Sequence, residues 1–224
     1  MEDASLGKIK VGLVALNVGM IILCLATGSF AQKPIQASDL DARVFRFLEE
    51  ARGSWSDWNV PYEDGKILYN LVLKGNFKNI LEIGTSTGHS TIWLAWAASK
   101  TGGRVTTIEI DRDRYETALT NFRKAGVAPY IDAHLADAHQ LVPLLKGPFD
   151  FVFCDADKDW YLRYFLDLKG KIAPKGCFSA HNVLWGGDPH IGKFIEYLKR
   201  DPGFHTTIER GSGEGISISC RVEK

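Results

Sequence analysis

Five side chains at the ends of two apolar runs are of the kinds that bind cations and move protons. Phe149-Asp150-Phe151-Val152-Phe153-Cys154 reads as a buried strand and is followed at once by Asp155-Ala156-Asp157-Lys158. A second run, Cys177 to Ala180, is followed by His181-Asn182. A carboxylate, an imidazole and a carboxamide at neighbouring strand ends suit a hard or borderline divalent cation with positions left open for substrate oxygens. Asp155, His181 and Asn182 are the candidate ligands. Lys158 falls on what reads as the first turn of a helix, where its charge opposes the helix dipole, and that placement hints at a purpose. Each residue also has an ordinary reading: a turn former for Asp155, a packing histidine for His181, a solvated lysine for Lys158.

A second constellation lies upstream. Ile80-Leu81-Glu82-Ile83 reads as a strand that runs into Gly84-Thr85-Ser86-Thr87-Gly88 and then a helix. Glycine lets a ligand approach the backbone, and the first N–H groups of the helix face whatever sits there, so the segment is a cradle for a nucleotide-bearing molecule. Val105-Thr106-Thr107-Ile108 repeats the strand and ends in Glu109, 25 positions past Gly84 (109 − 84 = 25). An acid there can accept both hydroxyls of a ribose. A dinucleotide fingerprint needs G-x-G-x-x-G, and its second glycine is Ser86 in this chain, which disfavours a nicotinamide oxidoreductase.

The elements that must position these groups follow from periodicity. Strands are expected at Asn79 to Ile83, Arg104 to Ile110, Tyr130 to Leu135, Phe149 to Cys154 and Cys177 to Ala180. Helices are expected at His89 to Ser99, Arg112 to Ala125, Ala138 to Leu145 and Lys158 to Leu168. Two more precede the first strand, one from Ser38 as N-cap and one opened by Pro61. Alternating strands and helices imply right-handed crossovers and a parallel sheet covered on both faces. After a Pro189 to Arg200 helix, Phe204 to Glu209 and Gly215 to Val222 read as a hairpin across a glycine turn. The expected fold is α/β: a doubly wound, mostly parallel, Rossmann-like sheet that ends in an antiparallel β-hairpin, with helices on both faces.

With 224 residues, 45% of them apolar, the chain can bury one substantial core and carry an extension. Lysine plus arginine (27) equals aspartate plus glutamate (27), with no long block of either sign, which argues against a dedicated nucleic-acid surface. Lys8 and Lys10 precede an apolar run from Val11 to Ala26, and Ser29-Phe30-Ala31 offers small residues to a signal peptidase. Residues 1–31 are therefore read as a signal peptide or a membrane anchor and residues 32–224 as the folded domain, exported or held outside the cytoplasm. Membrane contact is expected through that segment alone. Beyond it, Cys154, Cys177 and Cys220 are odd in number and widely spaced, and they read as buried free thiols without a disulfide framework. The sequence leaves both a monomer and a homodimer open.

Asn79 to Ser90, Thr106 to Asp111, Asp155-Ala156-Asp157-Lys158 with Tyr161, and Ala180-His181-Asn182-Val183 together resemble the small class I S-adenosylmethionine-dependent O-methyltransferases. That group contains the catechol and caffeoyl-CoA O-methyltransferases, and the match runs from about Val60 to the C-terminus. The resemblance implies that Val60, Glu82, Gly84, Thr85 and Ser90 surround the methionine part of S-adenosylmethionine. It also implies that Glu109 holds the ribose and that Asp137, Ala138 and His139 lie along the adenine. Asp155 and Asn182 match metal ligands of the family, and Lys158 matches a general base. His181 departs from the aspartate of metal-dependent members, so magnesium, a borderline ion or no metal are all open. The implied reaction is methyl transfer to a hydroxyl of a small, catechol-like acceptor, with Trp55, Trp58, Trp160 and Trp185 available to wall it. The alternative is an exported module that keeps the cofactor cradle without catalysis.

Overall fold

The computed structural model describes residues 37–211 and 213–222. The expected leader, residues 1–31, lies outside the described residues. Among the described residues no helix is long and apolar enough to cross a membrane.

Among the described residues seven strands form one sheet: β1 (Asn79–Ile83), β2 (Arg104–Glu109), β3 (Ile131–Leu135), β4 (Phe149–Cys154), β5 (Ile172–His181), β6 (Phe204–Glu209) and β7 (Ile216–Arg221). Their order is β3-β2-β1-β4-β5-β7-β6, parallel through β5 and antiparallel for β7 and β6. The helices are α1 (Ala37–Glu50), α2 (Tyr62–Gly75), α3 (His89–Thr101), α4 (Arg112–Ala125), α5 (Ala138–Leu141), α6 (Tyr161–Leu168) and α7 (Pro189–Arg200). Side chains alternate between the two faces of each strand. Ile80, Phe151 and Phe153 therefore enter one layer with α1 to α4, whereas Leu81, Ile83, Val152 and Cys154 enter the other with α6 and α7. Several helices begin where an aspartate satisfies their orphan N–H groups: Asp111 accepts from Arg114, Asp137 from His139, and Asp188 from His190 and Ile191.

Most expected elements lie where the periodicity put them, and the exceptions have local causes. Strand β5 begins at Ile172 and not at Cys177. The added stretch contains Pro174-Lys175-Gly176, which the strand passes through with a jump in register against β4 and with Lys175 in the left-handed region (φ 64°). Pro143 limits α5 to a single turn followed by a 3₁₀ turn, Val142–Leu144. Lys158–Trp160 is likewise a 3₁₀ turn leading into α6. Helix α1 already includes Ala37, so Ser38 lies inside it and not at its start.

The expectation of three free thiols fails at two. Cys177 and Cys220 stand opposite each other on β5 and β7 and form a disulfide, while Cys154 is the one of these three that stays free and buried. Counting and spacing could not show this, because the antiparallel register of the last strand pairs residues separated by 43 positions. Closing a loop of that length restricts the unfolded chain and stabilises the fold by about 2–4 kcal/mol. Cys220→Ser is therefore expected to lower the unfolding free energy by about that amount in denaturant titration. A midpoint equal to that of the native protein would show that the bridge does not staple the sheet.

Candidate active site

The chain reverses its direction of winding between β1 and β4. The helix after β1 covers one face of the sheet and the helix after β4 the other, and crevices at such points receive ligands beyond the carboxyl ends of the strands. Here the ends of β1, β2, β4 and β5 rim a cavity of about 780 Å³. Gly84 ends β1 with φ +92°, and a Cβ on it would lie 2.5 Å from the Asp155 carbonyl oxygen, so only glycine lets the turn pack against the end of β4. Gly88 is the N-cap of α3 at φ +101°, with Phe122 filling the space where a side chain would go. Ser86 adopts the left-handed conformation (φ 49°), and its N–H donates to Glu109 Oε2 at 2.7 Å. The other oxygen of Glu109 accepts from Ile110 (3.0 Å) and Asp111 (2.9 Å). Three backbone donors thereby fix this carboxylate on the cavity wall.

The residues expected around the cofactor fall into two groups. Gly84, Glu109, Asp137, Ala138 and His139 line the cavity. Val60, Glu82, Thr85 and Ser90 are buried and lie outside its lining. Glu82 is on the same face of β1 as Ile80. Its Oε2 accepts from Thr91 and, at 2.6 Å, from Thr107, whose hydroxyl also bonds Thr85 at 2.5 Å. Its Oε1 is buried with no hydrogen-bond partner in the protein. Burial pushes the Glu82 carboxyl up to about 7, against the nearby hydroxyls of Ser90, Thr107 and Thr91, which hold it down. Val60 contributes its carbonyl, which bonds Nδ1 of His89 at 2.8 Å. At the far wall His139 stacks on Trp160, 3.6 Å between ring centroids, and its Nε2 lies 2.8 Å from Asp157.

The other end of the cavity carries the charges. Lys158 Nζ donates to Asp155 Oδ1 (2.8 Å), to Tyr161 Oη (2.8 Å) and to the Ala156 carbonyl (3.1 Å). His181 stands behind Asp155, its Nδ1 3.2 Å from Asp155 Oδ2 and its Nε2 2.8 Å from Asp64 Oδ2. Asn182 Nδ2 donates to Glu214. Burial alone would lower the pKa of His181, but the carboxylates of Asp155 and Asp64 outweigh it and hold the imidazole at about 9. Burial would raise Asp155, yet His181 and Lys158 keep it below the usual carboxylate range. Asp155, His181 and Asn182 are thus brought together as expected. One member of the set does not fit a metal ion, however: both ring nitrogens of His181 face carboxylates, so the imidazole has no lone pair to offer, and Lys158 already occupies the cavity side of Asp155. Among the described residues no group of three or more histidine, cysteine, aspartate and glutamate side chains is arranged to hold a metal.

Sequence reasoning missed Asp64, which lies on α2 and is 117 residues from its partner His181. It also missed Glu214, and Asn59, whose side chain bonds Thr87 Oγ1 (2.7 Å) and the His89 N–H (3.2 Å) across the glycine turn. The only signal for Asn59 was its neighbourhood, a loop rich in tryptophan. Of the four tryptophans, Trp58, Trp160 and Trp185 line the cavity, and Trp58 is 74% exposed. Trp55 instead stacks on His89 at 4.4 Å, packed against the core beside α3.

Comparison with known proteins bears on this geometry. Residues 38–193 match the model of a family described as O-methyltransferase. The chain is 33% identical over 195 residues to a caffeoyl-CoA O-methyltransferase of Eucalyptus gunnii, covering 77% of this chain and 78% of that one. An O-methyltransferase from Bacillus cereus, solved in complex with SAH, superposes with a TM-score of 0.70 at 29% identity, covering 81% of this chain and 91% of that one. The O-methyltransferase TomG from Streptomyces achromogenes, solved with SAM and involved in tomaymycin synthesis, gives 0.68 at 29% identity over 87% of this chain and 93% of that one.

Proposed function

The chain belongs to the O-methyltransferase family, and from that premise we propose that it moves the methyl group of S-adenosylmethionine to a hydroxyl of a small, catechol-like acceptor. The observation that carries this reading is one cavity with Glu109 fixed at one end and Lys158, on Asp155, at the other. When bound, S-adenosylmethionine supplies an electrophilic methyl group on a sulfonium sulfur.

In this reading Glu109 accepts the ribose hydroxyls, while Asp137, Ala138 and His139 border the adenine. Gly84 admits the methionine part, with Val60, Thr85 and Ser90 shaping the wall behind it. The unpartnered Oε1 of Glu82 is the natural acceptor for the ligand's ammonium group. An expected result follows from the sign of its shift. Near pH 6 most Glu82 carboxyls are protonated in the free protein, and an ammonium ligand favours the ionised form, so binding releases most of one proton. Affinity should rise with pH toward about 7 and then level off. Calorimetric titration at pH 6 in buffers of different ionisation enthalpy reads the proton directly. Identical heats in all buffers would remove Glu82 from the methionine site.

Displacement at the methyl group needs the attacking oxygen close, aligned and relieved of its proton. Trp185, 45% exposed, offers a flat apolar face beside Lys158, whose ammonium lies 5.8 Å from the ring centroid, and Trp58 lines the same cavity. An aromatic hydroxyl lying on the Trp185 ring reaches Lys158, whose amine takes the proton as the oxygen forms its bond to carbon and the sulfur–carbon bond breaks. The Cys177–Cys220 bridge supports an oxidising compartment and hence export, as the leader suggests.

The test is transfer of a labelled methyl group to a panel of catechols, monophenols and caffeoyl-CoA. Transfer to an ortho-diphenol is the expected outcome. Cofactor binding without transfer to any acceptor would favour the non-catalytic binding module.

A further inference from the structure

We propose that the Asp64–His181–Asp155 chain takes the place of a divalent metal ion, so that this enzyme holds Asp155 and Lys158 ready for the acceptor with a cation built from its own side chains. The inference rests on the reading above for the identity of the acceptor end, but its physical basis is independent of the cofactor. A metal ligand must present a lone pair to the ion. His181 is 2% exposed in its side chain and has one ring nitrogen on each of two carboxylates, Asp64 at 2.8 Å and Asp155 at 3.2 Å. An imidazole bridging two carboxylates donates from both nitrogens and keeps no lone pair in the ring plane. Asp155 gives its remaining oxygen to Lys158 at 2.8 Å. Asn182 donates its Nδ2 to Glu214, whose Oε2 also lies 3.8 Å from His181 Nε2, so the imidazole and not the carboxamide is what closes the site to a metal. Asp64 and Asp155 therefore share the imidazolium of His181, and Asp155 also pairs with the Lys158 ammonium.

Asp64 is the residue that makes this arrangement. It is fully buried in the first turn of α2, on an element that contributes nothing else to the charged end of the cavity. By bonding Nε2 it fixes the ring orientation in which Nδ1 faces Asp155, and Asp155 in turn fixes Lys158. Asp64 is thus a positioning residue, two contacts removed from Asp155 and three from Lys158. The same geometry says what would reopen the site. A carboxylate at position 181 would leave Asp64, Asp155 and the new side chain facing one another without a compensating imidazole, an oxygen-rich set that suits magnesium or manganese.

The experiment uses the whole domain with its disulfide intact. Elemental analysis of the purified protein, and calorimetric titration with magnesium, manganese and zinc, is run with and without saturating S-adenosylmethionine. The native protein is expected to hold far less than one equivalent of any divalent ion, to show no saturable metal heat, and to melt at the same temperature with millimolar metal as with chelator. His181→Asp is expected to gain a saturable magnesium or manganese site, read as a rise in melting temperature of about 5–10 °C at a hundredfold excess over Kd. One tightly held, chelator-removable equivalent in the native protein overturns the inference, and because that measurement needs no variant it stands even if His181→Asp fails to fold. The titration with S-adenosylmethionine separates the two claims: cofactor bound together with a stoichiometric metal sinks this inference and leaves the methyltransferase reading intact, whereas neither bound does the reverse.

Discussion

Lys158→Ala is expected to lower turnover by about 10²–10⁴-fold, the usual range for a positioned proton acceptor, with little change in the affinity for S-adenosylmethionine. The lysine faces the cavity at the opposite end from Glu109 and touches Asp155, Tyr161 and the Ala156 carbonyl. As an ammonium it spends its three donors on those contacts; as an amine it releases one of them and turns a lone pair toward the acceptor hydroxyl. Lys158→Arg separates base from charge, because guanidinium keeps the positive charge but does not accept a proton at neutral pH. An arginine variant as slow as the alanine variant supports the base. Recovery of turnover by arginine would instead assign Lys158 to oxyanion stabilisation, and unchanged turnover in Lys158→Ala would remove it from the chemistry.

Glu109→Ala should weaken S-adenosylmethionine binding by about 2–4 kcal/mol, or roughly 30- to 1,000-fold, if two charge-assisted hydrogen bonds to ribose are lost. The carboxylate has a second task, since its bonds to the Ser86, Ile110 and Asp111 N–H groups tie the glycine turn to the end of β2. Glu109→Gln keeps one acceptor oxygen and should fall between the native protein and the alanine variant. Equal affinity in a folded alanine variant, checked by its melting temperature, would place the ribose elsewhere.

What the sequence revealed follows from the range of the forces involved. Strands β1, β2 and β4, the glycine turn and Glu109 were legible because each is set by local alternation or by a backbone position that needs glycine. Lys158, Asp155 and His181 were legible as strand-end residues, but their partners were not: Asp64 and Glu214 reach His181 from elements far away in the chain. The donor count at His181, on which the proposal of a metal-free site rests, is invisible until those partners are placed. Cys177 and Cys220 were misread for the same reason, since their pairing depends on the register of β5 against β7. Local turn chemistry explains the remaining errors, with Pro174-Lys175-Gly176 hiding the start of β5 and Pro143 shortening α5.

Equilibrium titration with S-adenosylmethionine, with NAD in parallel, tests the central claim most directly because it needs neither an acceptor nor a metal. The predicted result is a single saturable site for S-adenosylmethionine, weakened by Glu109→Ala, with no heat from NAD. Silence toward S-adenosylmethionine in folded, disulfide-intact protein, or saturable binding of NAD in its place, would contradict it.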